Sequence, residues 1–357
     1  MEGNGSAVTR NYPSRIERVV DLGIDRRKFL ALGAGTAAAA GLTVAVPSGL
    51  ASADTITGHE GQRHRTAPSS AKLARSLPGG FTSRFAVANG IRQHYVIGGK
   101  GEPLVLLHGW PETWWEYRKV MPALAEHYRV IAVDLRGGGD TDTPASGFDK
   151  KTMARDIREL IRVLGYSSVN IAGHDIGSMV AFSFAANHPE ATRKVAMLDV
   201  MHPDESYYEF RMLRAPGQPF FPWWFAFNQV PQLPEQLVSG RAHYLIDWMF
   251  DNLLVNQAAV SDFDRCVYSA AYNRPEGIRG GNGWYATFVQ DIADGATYGK
   301  VTAPILGMVN SLFYPNMAAV LPTRGTDVTV HEVTNTGHYF VEERPQVVID
   351  EFKAFFG

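Results

Sequence analysis

The chain has 357 residues, 45% hydrophobic and 20% charged, with 34 Lys and Arg against 36 Asp and Glu and a formal net charge of −2. That composition excludes a disordered, collagen-like or disulfide-dense chain. The charge balance offers no basic footprint for nucleic acid and no general pull toward anionic lipid. A single cysteine, Cys266, excludes a disulfide within the chain and argues against a structural zinc site.

At the N-terminus, Arg26-Arg27-Lys28-Phe29-Leu30 is a twin-arginine pattern that opens an uncharged run to Val46. Ala51-Ser52-Ala53 follows as a small-residue cleavage site. Together they predict a signal peptide over 1–53, twin-arginine export, and a secreted mature chain in the bacterial periplasm or outside the cell. A retained membrane anchor is the alternative. The polar stretch 54–80, which ends in Leu77-Pro78-Gly79-Gly80, reads as a linker.

Beyond it, short apolar runs alternate with helical stretches. Leu104–Leu107, Val130–Val133, Val169–Ala172, Val195–Leu198 and Ile305–Val309 read as buried strands. Val328–Val333 reads as the last strand. Met153, Ile157, Leu160, Ile161 and Leu164 recur at helical spacing, as do Val347, Val348, Phe352 and Phe355. The alternation predicts an α/β fold with a mostly parallel, doubly wound sheet. Its core would be 81–202 and 298–357. The stretch 203–297 carries no strand signal and many aromatics, among them Tyr207, Tyr208, Phe220, Phe221, Trp223, Trp224, Phe225 and Tyr285. It reads as an inserted helical cap, most of whose rings serve packing.

The chemistry concentrates at three places. Val169–Ser178 is a strand feeding a helix through a tight turn, with Gly173, Gly177 and Ser178 around the central Asp175. That is a nucleophile-elbow layout with a carboxylate at its apex. A carboxylate there attacks saturated carbon and leaves an alkyl ester; the plainer reading is an Asp that caps a helix. His338, in Thr336-Gly337-His338-Tyr339, follows the last strand and is placed to act as base on water. His108-Gly109-Trp110-Pro111 follows the first apolar run.

With Glu112-Thr113-Trp114 and Asp134–Asp140, these segments resemble the epoxide-hydrolase branch of the α/β-hydrolase family over roughly 80–357. The resemblance implies a cofactor-free, metal-free hydrolase that converts a small neutral apolar or aromatic epoxide to a diol, with no nucleic-acid or membrane partner. It assigns the oxyanion hole to the N–H groups of Trp110 and Ile176. Many members place the third acid after the strand that follows the cap, where this chain has Asn310. Asp199, at the end of the preceding strand, matches the place used by fluoroacetate dehalogenases and some bacterial epoxide hydrolases, and would orient His338. Tyr285 matches the cap tyrosine that donates to the epoxide oxygen, with Tyr207 or Tyr208 as a possible second donor. Trp223-Trp224 stands where some relatives carry histidine or histidine-tryptophan, and is expected to line the substrate pocket.

Two alternatives stay open. A haloalkane or haloacid dehalogenase uses the same Asp–His chemistry, and Trp224 and Tyr285 match the halide side of the fluoroacetate dehalogenases. Haloalkane dehalogenases usually carry Trp directly after the nucleophile, and fluoroacetate dehalogenases carry arginines one and four residues after it. Ile176 and Met179 occupy those places here. A secreted, non-catalytic binding protein on the same scaffold is the other.

Overall fold

In the computed structural model, residues 67–213 and 222–357 are described. The twin-arginine segment and cleavage site over 1–53, the stretch 54–66, and Phe220 and Phe221 lie outside the described residues. The sheet starts with a hairpin that is not among the expected strands: β1 (Thr82–Ala88) and β2 (Ile91–Gly98). β1 is exposed along most of its length, so its residues lack an apolar run. Asn89 and Gly90 join the two strands, both at positive φ (49° and 78°), as a two-residue hairpin turn requires.

The remaining strands are β3 (Glu102–Leu107), β4 (Tyr128–Val133), β5 (Val169–His174), β6 (Thr192–Leu198), β7 (Ile305–Asn310) and β8 (Val328–Val333). They form one eight-stranded sheet in the order β1-β2-β4-β3-β5-β6-β7-β8. β3 to β8 run parallel, and β2 joins β4 antiparallel. All six residues of β5 and of β7 are buried, which is why these strands are mostly apolar, with Asn170, His174 and Asn310 as their polar members. After β4 the chain crosses to the other side of β3, and Leu107 pairs with Gly173. That switch in winding direction brings the loops after β3 and β5 together at one sheet edge, where ligands of open α/β sheets bind.

Helix Lys150–Val163 links β4 to β5, with Asp149 accepting from the Thr152 N–H at 2.7 Å as its N-cap. Its buried Met153, Ile157, Leu160 and Ile161 belong to the periodic set read from the sequence, whose fifth member, Leu164, is the half-buried C-cap. Pro345–Phe356 forms the terminal helix. The expected linker is only partly irregular, since Ser70–Ser76 is a helix that buries Leu73 and Ala74. Two apolar contacts with the core outweigh local polarity there.

Between β6 and β7 the described residues contain helices and no strand: Trp223–Gln229, Leu233–Val238, Ala242–Leu253, Asp262–Tyr272, Pro275–Ala286 and Phe288–Gly295. The helix Pro275–Ala286 is tied to the core at its far end. Trp284 Nε1 donates to the Arg136 carbonyl at 2.8 Å. The fully buried Lys150 donates to the Trp284 carbonyl at 2.5 Å and to Asp291 at 2.7 Å. Removing one partner of such a pair costs about 3–5 kcal/mol because the other charge is left stranded. No helix among the described residues is long and apolar enough to cross a membrane.

Candidate active site

Asp175 sits between β5 and the helix Ile176–Asn187, at φ 50° and ψ −118°. A side chain in that region strains the backbone by roughly 1–3 kcal/mol, so its surroundings must hold it there. They do so by close approach. A Cβ on Gly173 would lie 2.0 Å from the Gly177 carbonyl oxygen, and one on Gly177 would lie 2.1 Å from that of Leu107. Small residues thus let strand and helix meet at an angle that pushes the Asp175 carboxylate out beyond the sheet edge.

One carboxylate oxygen, Oδ1, accepts the Trp110 N–H at 2.9 Å. Ile176 opens the elbow helix, so its N–H has no partner within that helix. The other oxygen, Oδ2, lies 3.7 Å from His338 Nε2, beyond hydrogen-bonding distance. Asp199 Oδ2 is 2.5 Å from His338 Nδ1. A carboxylate only accepts, so Nδ1 carries a proton, and Nε2, which faces Asp175, is the lone-pair nitrogen of the neutral ring. Asp199 follows β6 at φ 66°, and its Oδ1 accepts both the backbone N–H (3.1 Å) and the side-chain N–H (2.7 Å) of Asn310. Both chain positions weighed for the third acid therefore meet in space. Asn310 braces the carboxylate that Asp199 supplies.

The Tyr285 hydroxyl is buried and has no protein hydrogen bond among the described residues. Its ring packs against Trp110, Phe225 and Phe288 at centroid distances of 5.5, 5.4 and 5.2 Å. Burial first, and the Asp175 charge second, push its pKa well above the usual phenol value, so it keeps its proton. Of the two possible second donors, Tyr207 gives its O–H to the Met201 carbonyl at 3.3 Å, and Tyr208 is exposed. From the helix Trp223–Gln229 the ring against Tyr285 is Phe225. Trp223 and Trp224 pack edge-on against each other, and both contact Trp248.

Behind these groups lies a buried acid cluster that motif reading missed. Glu116 Oε2 accepts the Gly109 N–H at 2.9 Å, next to the N–H that holds Asp175. Its Oε1 is 3.1 Å from His174 Nδ1, and the His174 ring sits 4.7 Å from that of His338. His174 Nε2 is 2.9 Å from the His338 carbonyl. The available signal was two carboxylates, Glu112 and Glu116, inside the aromatic run Trp110–Tyr117. Burial pushes the Glu116 pKa up to about 8, and burial with the neighbouring Glu116 pushes Glu112 well above the ordinary range.

The folded chain keeps a proton on Glu116 that the unfolded chain releases near the ordinary value of 4.5. The folded state binds more protons across that window, so this group's stabilisation is complete below about pH 4.5 and is lost as pH rises through about 8. Glu116→Gln keeps an acceptor for Gly109 and has no proton to lose. Thermal melts at pH 5 and pH 8 should show wild type losing more Tm than the variant. Equal losses would mean that Glu116 is already ionised at pH 5.

The α/β-hydrolase fold family matches this chain over residues 102–229. A soluble epoxide hydrolase of Corynebacterium sp. (strain C12) is 36% identical over 286 residues, which span 77% of this chain and 97% of that protein. A fluoroacetate dehalogenase of Burkholderia sp. is 28% identical over 286 residues, 74% of this chain and 90% of that one. Among solved structures, Cfl2 of Burkholderia cenocepacia superposes with a TM-score of 0.73 at 34% identity, covering 78% of this chain and 96% of its own.

Proposed function

The chain belongs to the epoxide-hydrolase branch of the α/β-hydrolase family, and from that premise we propose that it hydrolyses a neutral epoxide to a vicinal diol through an ester on Asp175. Asp175 Oδ2, the oxygen not held by the Trp110 N–H, attacks a ring carbon. The ring C–O bond breaks as the Tyr285 hydroxyl donates to the departing oxygen. Water then attacks the ester carbonyl while His338 Nε2 takes its proton and Asp199 stabilises the imidazolium. The charge on the carbonyl oxygen falls at Oδ1, within reach of Trp110 N–H, with the Ile176 N–H as the second donor. The ester C–O bond then breaks as the His338 imidazolium returns its proton to the departing alkoxide. The second proton of the water, left on the carboxyl, goes to the Tyr285 phenolate. The diol leaves, and the carboxylate and the phenol are restored, with one carboxylate oxygen drawn from water. The observation that carries this reading is a carboxylate at the strained elbow, facing Nε2 of a histidine whose Nδ1 is on Asp199.

Dehalogenation by the same Asp–His pair is the second reading, favoured by the likeness to a fluoroacetate dehalogenase. Against a haloacid substrate stand Ile176 and Met179, both buried and uncharged beside the nucleophile. Tyr285→Phe removes one O–H without disturbing the ring packing. It should slow epoxide opening by about 10²-fold, the low end of what a general acid contributes. Wild type should release little fluoride from fluoroacetate. Halide release that outpaces diol formation across a broad panel of epoxides and halides would replace this reading with dehalogenation.

A further inference from the structure

The backbone of His338 is held from both sides. Its carbonyl faces His174 Nε2 of the core, and its N–H donates to the Leu253 carbonyl at 3.0 Å. Leu253 ends the inserted helix Ala242–Leu253, whose last carbonyls have no partner within the helix. The histidine's own peptide therefore closes the end of that helix. The approach is tight, since a Cβ on Gly337 would stand 1.9 Å from the Leu253 oxygen.

One carboxylate locks the two segments together. Glu343 is buried, in the short helix Phe340–Glu343 that follows His338. Its Oε1 accepts the Gly337 N–H at 2.7 Å and the Thr336 hydroxyl at 3.1 Å, both in the His338 loop. Its Oε2 accepts the Val255 and Asn256 N–H groups at 2.9 and 2.6 Å, both just beyond the inserted helix. Four donors converge on one carboxylate, two from each side.

We propose that Glu343 is a positioning residue that registers the water-activating histidine against the inserted helices, and so governs ester hydrolysis rather than ring opening. The inference rests on the ester pathway proposed above. The two half-reactions draw on different supports. Ring opening uses Asp175, fixed by the elbow and the Trp110 N–H, and Tyr285, whose helix is tied to the core through Trp284 and Lys150. Ester hydrolysis alone needs His338 Nε2 aimed at a water, and that aim depends on the loop that Glu343 holds. Displacing a reacting group by about 1 Å costs on the order of 10²-fold.

The test separates the half-reactions by rapid mixing with an epoxide and intact-protein mass spectrometry. Glu343→Gln offers one acceptor oxygen for two pairs of donors, so one side of the clamp opens. Its ester-hydrolysis rate should fall by roughly 10- to 100-fold, its ring-opening rate should stay within about twofold, and ester should build up on the Asp175 peptide. Thr336→Val removes a single donor and should give a smaller loss in the same half-reaction. Equal slowing of both half-reactions in the folded Gln variant would mark Glu343 as merely structural and overturn the proposal. So would unchanged ester hydrolysis in both variants, or a Gln variant that fails to fold alongside an unaffected Thr336→Val. If His338→Gln also forms no ester, the ester pathway itself has failed. If His338→Gln forms ester and the Glu343 variant does not accumulate it, only this inference has.

Discussion

His338→Gln should open the epoxide and then stop. Ring opening needs Asp175 Oδ2 as nucleophile and Tyr285 as donor, and neither depends on a base at position 338. Hydrolysis of the resulting alkyl ester does, because neutral water is a poor nucleophile toward such an ester. Steady-state diol formation should fall by at least about 10²- to 10⁴-fold, the usual contribution of a positioned base. Intact-protein mass spectrometry should show an added mass of one whole epoxide, which digestion assigns to the peptide containing Asp175. Freshly prepared Asp175→Asn should show neither adduct nor diol, since an amide oxygen is a much weaker nucleophile. If wild type makes diol and His338→Gln never carries the adduct, water attacks the epoxide directly. Asp175 would then be the base rather than the nucleophile.

The parts of this site legible in the amino-acid order are those set by local backbone chemistry. Asp175 stands out because the glycines on both sides allow the close strand-to-helix approach that a Cβ would block. His338 stands out by its place after the last parallel strand. The strands β3 to β7 were readable as apolar runs because both faces are covered, whereas β8, an edge strand, is buried only at Val333. β1 was not readable in this way, since an exposed edge strand has no reason to be apolar, although Asn89-Gly90 marked the hairpin. The link between Asp199 and Asn310 depends on β6 pairing with β7, Leu198 opposite Met308, across the whole inserted segment. No local pattern encodes such a pairing. The same holds for Glu343, whose partners at 255 and 256 belong to the insertion. On the helix Trp223–Gln229, which ring meets Tyr285 depends on helix phase. A shift of one residue turns the side chain by about 100°, enough to exchange Trp224 for Phe225.

Asp199→Asn should cost nearly as much turnover as losing the base, and by a different route. An ionised Asp199 accepts on both oxygens: Oδ1 from Asn310 and Oδ2 from His338 Nδ1. An asparagine has one carbonyl oxygen and one NH2. Asn310 presents two donors to Oδ1, so the carbonyl of the new amide turns to them and its NH2 faces His338 Nδ1. A donor facing Nδ1 selects the tautomer with the proton on Nε2. The lone pair that should receive the water's proton is then gone. The corresponding change in a Ser-His-Asp protease lowers kcat by about 10⁴-fold for this reason, and a loss of roughly 10³- to 10⁴-fold is expected here. Ring opening should survive, so this variant should also accumulate ester on Asp175 while its thermal stability changes little. The double variant Asp199→Asn with Asn310→Asp tests the same logic in reverse. It returns a carboxylate to the pair, across the hydrogen bond that now joins the two side chains, and should recover part of the lost ester hydrolysis. Full activity in Asp199→Asn would show that His338 keeps its tautomer without that carboxylate. The orienting acid would then have to be sought in the buried cluster of Glu112 and Glu116 behind His174.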